Sequence, residues 1–228
     1  PALAALTAVA ATLAAYTLLF GAQRALFIAI YAPTIGARFS EFLAAMGHGL
    51  SMDLSMAAYL TAVPALTVIA AVCGAGRAAS AILRSYSWIA ATLLSLIFIA
   101  DTVLYSYWDF RLDMTPLFYF FSSPKAAMAS APWWQAALAA VGVVVVTALI
   151  GIFLSAVYRF APLPPHGKAG AIAVATVAAA ALFIPIRGGF GVSTMNLSRA
   201  YFSANQRLNH AAVNPAFSLL YSCLVYTS

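Results

Sequence analysis

The charged residues of this chain are separated by long stretches in which almost every side chain is apolar. The first charged residue is Arg24, and four later apolar stretches are of comparable length. A helix that crosses the hydrocarbon core of a bilayer needs about 20 mainly apolar residues. The pattern therefore predicts five membrane-spanning helices, at about 3–30, 43–73, 85–107, 133–159 and 169–186.

The composition of the chain supports a membrane protein. Of its 228 residues, 64% are hydrophobic and 7% are charged, whereas soluble domains are about 25% charged. Too few polar side chains remain to cover a surface that faces water. Membrane barrel strands are only about 10 residues long and alternate in polarity, unlike these continuous runs. The predicted fold class is all-α: a polytopic, five-transmembrane-helix bundle over residues 1–186, followed by an extracellular, amphipathic C-terminal linker at 187–228.

Basic residues between the predicted helices indicate the orientation of the chain. Arg77 and Arg84 lie between the second and third helices, Arg159 and Lys168 lie between the fourth and fifth, and neither connection contains an acid. Short cytoplasmic loops are enriched in such residues. The N-terminus is therefore predicted to be cytoplasmic and the C-terminal linker extracellular or periplasmic. Because the net charge of +6 is spread over these loops and forms no clustered basic face, we expect no nucleic-acid partner.

Four ionisable residues fall inside or near the predicted spans: Arg24, His48, Asp53 and Asp101. A charge in the bilayer centre costs about 2.5–3.5 kcal/mol, so it should face the interior beside a partner. Arg24 and Asp53 are predicted partners in adjacent antiparallel helices. His48 and Asp53 diverge by about 140° on a helix, so they do not form one site. A structural clamp, a lipid or substrate contact and an ion pathway all remain open.

The segment 108–130 is too long and too aromatic for a simple turn between the third and fourth helices. Pro116 and Pro124 bracket the apolar sequence LFYFF, which predicts an interfacial loop or re-entrant element. Arg111 and Lys125 are candidate contacts for a lipid headgroup phosphate, as is Arg24 if water reaches it. The alternative for Arg111 is an ion pair with one of two nearby acids, Asp109 or Asp113.

The C-terminal linker contains one predicted helix. Asn214-Pro215 is expected to begin it, with Phe217, Leu219 and Leu220 facing the membrane or the bundle. The preceding polar stretch, 201–209, supports no assignment.

Catalytic motifs are not found in the sequence. It has no phosphate-binding loop, no HExxH zinc motif and no GxSxG nucleophile motif, and its three histidines (His48, His166 and His210) are far apart. We therefore predict no catalytic residue, no metal site and no cofactor in this chain.

Three segments resemble a known family. They read GHGLSMDLSMAAYLTAVPAL at 47–66, FRLDMTPLFYFFSSPKAAMAS at 110–130 and AYFSANQRLNHAAVNPAFSLLYS at 200–222. They resemble the membrane-anchor half of the lipoteichoic acid synthase family, the bacterial sulfatase-like phosphoglycerol transferases. The resemblance covers most of the chain and is most specific at 200–222.

The resemblance implies a role in building the cell envelope at the bacterial plasma (inner) membrane. In this family, five helices and an extracellular linker precede an alkaline-phosphatase-like catalytic domain. That domain carries a threonine nucleophile and a divalent metal (Mn, Mg or Zn), and it transfers phosphoglycerol from a lipid donor. The implied partners of this chain are membrane lipids and its own catalytic domain.

The chain stops where that catalytic domain would begin, and it starts with Pro1. We expect a fragment that lacks its true N-terminus and its catalytic half and is inactive alone. Residues 223–228 depart from the family pattern, and whether they are native is left open. The alternatives are the membrane domain of a phosphoethanolamine transferase, a non-catalytic scaffold or lipid-binding module, and a small transporter.

Overall fold

The computed structural model describes residues 1–125 and 132–226, and these residues form helices and connections without a β-strand. Residues 126–130 of the predicted interfacial loop and residues 227–228 of the predicted linker lie outside the described residues. The helices are α1 (Ala2–Ile35), α2 (Phe39–Val72), α3 (Gly76–Trp108), α4 (Thr115–Ser122), α5 (Trp133–Phe160), α6 (Ala169–Ala181), α7 (Phe183–Arg187), α8 (Gln206–Ala212) and α9 (Pro215–Tyr226).

Among the described residues, five helices are long and apolar enough to cross a membrane, which confirms the predicted all-α membrane fold. They are α1, α2, α3, α5 and the α6–α7 pair, taken together as Ala169–Arg187. The last pair is interrupted after Ala181. Pro185 explains this break, because its ring clashes with the carbonyl four residues earlier and it has no N–H to donate.

The helices are longer than their apolar stretches predict. The third begins at Gly76 instead of 85, and the first continues to Ile35 instead of 30. Charged residues limit the part of a helix that enters a bilayer. Arg77 and Arg84 do not interrupt the backbone hydrogen bonds of α3, so this helix begins before its apolar stretch. Gly36 (φ +64°) follows the end of the first helix, in the left-handed conformation that glycine adopts without strain.

The residues group into two compact units. Unit 1 consists of Pro1–Ala22, Leu50–Ala91 and Leu149–Met195. Its core is built from small side chains of α1, α2 and α6, among them Ala5 and Ala58. Small residues let helix backbones approach closely, which favours packing between membrane helices.

Unit 2 consists of Gln23–Gly49, Thr92–Ala148 and Asn196–Ser228. Within it, the C-terminal segment is packed among helices, and 208–217 is a continuous buried stretch. The predicted helix after Asn214-Pro215 is confirmed. The Asn214 side-chain oxygen caps it by accepting hydrogen bonds from the backbone N–H groups of Ala216 and Phe217, both at 3.0 Å.

The helix α8 begins within the polar stretch 201–209 that the sequence left unassigned and continues to Ala212. Asn205 caps its first turn, accepting hydrogen bonds from Arg207 N at 3.1 Å and Leu208 N at 3.3 Å. The Asn209 side-chain oxygen accepts two further hydrogen bonds, from the backbone N–H groups of Phe202 and Ser203. These local bonds order a stretch that has no apolar periodicity.

Candidate functional site

A buried ion pair lies within unit 2. Asp101, on α3, is completely buried, and its Oδ2 is 3.0 Å from Arg111 Nη2. Its other oxygen accepts a hydrogen bond from the backbone N–H of Leu112 at 2.9 Å. Gln23 donates to Oδ2 at 3.4 Å. These contacts fold the segment after α3 back onto that helix.

Arg111 differs from its sequence interpretation. The sequence offered an ion pair with Asp109 or Asp113 as the alternative to a headgroup contact, whereas the structure pairs Arg111 with Asp101. The backbone reverses direction after α3 at Asp109, which has a left-handed φ of 54°. Aspartate tolerates this conformation better than most residues do. The Arg111 guanidinium also lies 3.9 Å from the centroid of the Phe27 ring, a cation–π arrangement.

Asp109 forms a second, partly exposed ion pair. Its Oδ2 accepts hydrogen bonds from Arg207 Nε at 3.1 Å and from Arg207 Nη2 at 3.0 Å. Arg207 also donates to the carbonyl of Thr34 at 3.0 Å. This pair ties α8 to the C-terminal ends of α1 and α3.

Arg24 is buried, with 1% of its surface exposed. Its guanidinium donates hydrogen bonds to three carbonyl oxygens, those of Gly49 (3.1 Å), Ala211 (3.4 Å) and Ala212. The carbonyls of Ala211 and Ala212 lie in the last turn of α8, where intrahelical partners are lacking. Arg24 therefore caps α8 and holds the C-terminal segment against α1 and α2.

The other intramembrane candidates occupy different environments. Asp53 belongs to unit 1 and is buried; its predicted pairing with Arg24 stays a prediction. His48 is exposed and stacks on Phe202, with ring centroids 4.4 Å apart. Lys125 is exposed at the edge of the described residues.

His210 belongs to the site, although the sequence treated it as an isolated histidine. Its Nδ1 lies 3.2 Å from the Tyr105 hydroxyl, and its Nε2 lies 3.2 Å from the Gln206 amide nitrogen. The Tyr105 ring packs against Phe27 and Tyr31, with centroids 4.8 Å away in both cases. The only feature of the sequence that could have indicated burial of His210 is that small apolar residues follow it, at 211–213.

We expect acid to destabilise unit 2 through His210. Burial lowers the pKa of His210, and the charges of Arg111 and Arg207 lower it further against the opposing effect of Asp109. A histidine whose folded pKa is depressed binds fewer protons folded than unfolded. Stability should therefore be intact above pH 6.5 and fall as the pH drops below that ordinary value. Thermal unfolding in detergent between about pH 8 and about pH 5 measures this change.

The variant that tests this prediction is His210→Gln. The glutamine that replaces His210 cannot titrate, so the unfolding temperature of this variant should fall less with acid than that of the unmodified chain. A His210→Gln profile parallel to the original one would contradict the assignment.

An apolar cavity of about 1040 Å³ lies beside this cluster in unit 2. Its walls come from the C-terminal half of α3, from the segment 110–112, from α4 and from one residue of α9, Leu219. The side chains that line it include Leu96, Ile97, Leu104, Trp108, Leu117 and Phe120. Apart from Thr115 and Ser123, these walls are apolar or aromatic, so the cavity suits a hydrocarbon chain.

A second cavity in unit 2, of about 510 Å³, is more polar. Its lining includes Arg111, Asp113, Tyr201, Gln206, His210 and Ser218. It therefore offers a carboxylate, hydroxyl groups and an amide within one concave surface, with the buried Arg111 guanidinium behind it. Such a set can hydrogen-bond a phosphate ester or a polyol.

The segment 110–112 separates the two cavities. Phe110 lines both of them, Arg111 lines the polar one and Leu112 lines the apolar one. The Asp101–Arg111 pair fixes this segment, so the same contact positions a wall of each cavity. An amphiphile could thus place its chain and its headgroup on opposite sides of one wall.

Within the residues that the structure describes, no three His, Cys, Asp or Glu side chains are grouped closely enough to bind a metal ion. Comparisons with protein-family models, with curated proteins and with solved structures found no match to this chain. The two cavities and the ion pair between them are therefore the basis on which a function is assigned.

Proposed function

We propose that this chain is the membrane domain of a sulfatase-like phosphoglycerol transferase of the lipoteichoic acid synthase type, and that it holds the lipid donor. The observation that carries the proposal is the adjacency of the apolar and polar cavities along 110–112. The donor's acyl chain would lie in the first and its glycerophosphate headgroup in the second. Segments 110–130 and 200–222, which carry the family resemblance, contribute to both cavities.

The apolar cavity has the features expected of an acyl-chain site. Aromatic side chains of α4, including Phe118, Tyr119 and Phe121, remain largely exposed. Amphipathic aromatic residues favour the boundary between hydrocarbon and headgroups. A chain entering from that boundary would pass α4 and reach α3 without crossing water.

The polar cavity has groups that match a glycerophosphate. Hydrogen-bond donors from Tyr201, Gln206 and Ser218 suit phosphate oxygens, and the Asp113 carboxylate suits a glycerol hydroxyl. Arg111 contributes positive charge, although its pairing with Asp101 offsets much of it. Neutral hydrogen bonds would therefore provide most of the headgroup selectivity.

Retaining the donor in a membrane domain has a physical advantage for a transferase. A catalytic domain tethered to the same chain would meet the lipid at high effective concentration. The divalent metal would belong to that domain. The orientation with the C-terminal segment on the extracellular or periplasmic side, at a bacterial plasma membrane, is part of this proposal.

Obstruction of the apolar cavity should weaken lipid binding. Ala100 lines the cavity, so Ala100→Phe would displace at least two methylene groups of a bound chain. At about 0.8 kcal/mol for each methylene group, the affinity should fall at least tenfold. Native mass spectrometry of the chain in detergent, titrated with phosphatidylglycerol, measures this loss.

The control is Ala140→Phe, which adds the same ring to an exposed position of α5 outside the cavity lining. It should leave the affinity within twofold. Equal binding of both variants would overturn the lipid site. Preference for phosphatidylethanolamine over phosphatidylglycerol would favour the phosphoethanolamine transferase instead.

The transferase assignment is tested separately by reading the gene beyond the codon for Ser228. We expect a domain with an exposed threonine and a group of Asp, Glu and His metal ligands. Lipid binding without such a domain would indicate a lipid-binding module. Solute flux abolished by Asp53→Asn would indicate a transporter.

A further inference from the structure

Unit 1 contains a cleft of about 520 Å³ that the proposed lipid donor site does not use. One wall is the first part of α3, from which Arg77, Ser80 and Arg84 line the cleft. The opposite wall is Leu163 and Pro164, in the connection between α5 and α6. Arg77 and Arg84 are seven residues apart, so they lie on the same face of α3, about two turns apart.

The charges around this cleft are not balanced by acids of unit 1. All residues of unit 1 lie in the described part of the chain, and Asp53 is their only acid. Asp53 is buried within α2 and does not line the cleft. The other cations of the unit are Arg159, Lys168 and Arg187. The counter-charge for Arg77 and Arg84 therefore has to come from outside unit 1, and an external anion can supply it.

The position of Arg84 along α3 indicates which anion fits. The uncharged run of α3 begins immediately after it, and Trp88 follows one turn later with 43% of its surface exposed. Exposed tryptophan next to an apolar run is typical of the headgroup level of a bilayer. Arg84 therefore lies at the level at which lipid phosphates are found, and the part of α3 that follows it is apolar.

We infer that the cleft between α3 and the α5–α6 connection binds the phosphate of an anionic phospholipid. Arg77 and Arg84 bind the phosphate oxygens, and Leu163 and Pro164 contact the glycerol region. The Ser80 hydroxyl donates to the carbonyl of Gly76 at 2.8 Å, so its oxygen remains able to accept a hydrogen bond from a headgroup hydroxyl. This site is separate from the donor site and does not depend on the proposed function.

The test measures phosphatidylglycerol binding by native mass spectrometry, using the 228-residue chain in detergent. All proteins carry Ala100→Phe, so that the proposed donor site does not contribute. Arg84→Gln and Arg77→Gln should each weaken binding about fivefold, because one basic residue near an anionic lipid surface contributes about 1 kcal/mol. Phosphatidylcholine should bind weakly to every variant.

Arg159→Gln is the matched control. It removes the same charge from an exposed position of unit 1 outside the cleft lining. A loss of affinity equal to that of Arg84→Gln would overturn the proposal, since general surface charge would then explain the binding. Unchanged binding in both cleft variants would also overturn it.

A free phosphate ion shares the chemistry of a lipid phosphate, so inorganic phosphate is titrated as a competitor. We expect millimolar phosphate to leave the bound lipid in place, because the apolar contacts favour the whole lipid. Displacement by phosphate, with equal binding of phosphate in the absence of lipid, would overturn the lipid assignment. Arg77→Gln and Arg84→Gln both replace exposed arginines, so the fold should be retained. Circular dichroism checks this.

Discussion

Replacement of Asp101 by Asn should lower the free energy of unfolding by about 3–5 kcal/mol, the usual effect of leaving one charge of a buried pair without its partner. Arg111 would remain buried against Phe27 with its counter-ion removed. Chemical unfolding of the chain in detergent, followed by circular dichroism, measures the difference.

Asp109→Asn is the control for this prediction. It makes the same change in the exposed pair with Arg207, where an ion pair contributes about 0.2–1 kcal/mol. Asparagine also tolerates the positive φ of this position. Equal losses for Asp101→Asn and Asp109→Asn would show that burial of the pair has no special effect.

A double variant, Asp101→Val with Arg111→Met, separates charge from packing. Apolar residues of similar volume often replace a buried ion pair without loss of stability. We therefore expect the double variant to recover most of the stability that Asp101→Asn loses.

The second large effect is expected at Gly49, a buried residue of α2. A side chain there would overlap the Arg24 guanidinium and would lie 2.5 Å from the carbonyl oxygen of Ala212. Gly49→Ala should therefore displace Arg24 from the end of α8. Overpacking and the loss of hydrogen bonds to a charged group together predict a destabilisation of about 2–5 kcal/mol.

Hydrogen exchange locates this effect. The backbone amides of 206–217 should exchange faster in Gly49→Ala, because Arg24 no longer holds the C-terminal segment. Gly47→Ala is the matched control, since Gly47 lies on the same helix, is exposed and has nothing within 4 Å of its added carbon. That variant should be neutral or stabilised by about 1 kcal/mol. Unchanged exchange in Gly49→Ala would remove Arg24 from this role.

Together these contacts connect the stability of the C-terminal segment to the shape of the proposed lipid site. Arg24, Arg207 and His210 hold α8, and α8 supplies part of the polar cavity through Gln206 and His210. A catalytic domain that followed the segment would therefore be attached to a wall of the cavity proposed to hold the donor headgroup.

The chain's sequence alone was sufficient to predict the class of the fold. Five apolar stretches of bilayer length predict five long helices, because the backbone of such a stretch must satisfy its hydrogen bonds internally. The helix after Asn214-Pro215 was also predictable, since its capping residue is local. The ends of the helices were less predictable. Arg77 and Arg84, for example, limit how much of α3 enters a bilayer, but they do not prevent helix formation.

Only the tertiary structure decided which polar residues meet. Arg24 and Ala212 are 188 positions apart, and Tyr105 and His210 are 105 positions apart. Their contacts depend on how α8 packs, and no local pattern encodes that packing. Arg111 pairs with Asp101 because the backbone reverses direction at Asp109, and no local sequence pattern indicates that reversal. Apolar length therefore determines the helices, whereas chain reversal and long-range packing determine the polar cluster and both cavities of unit 2.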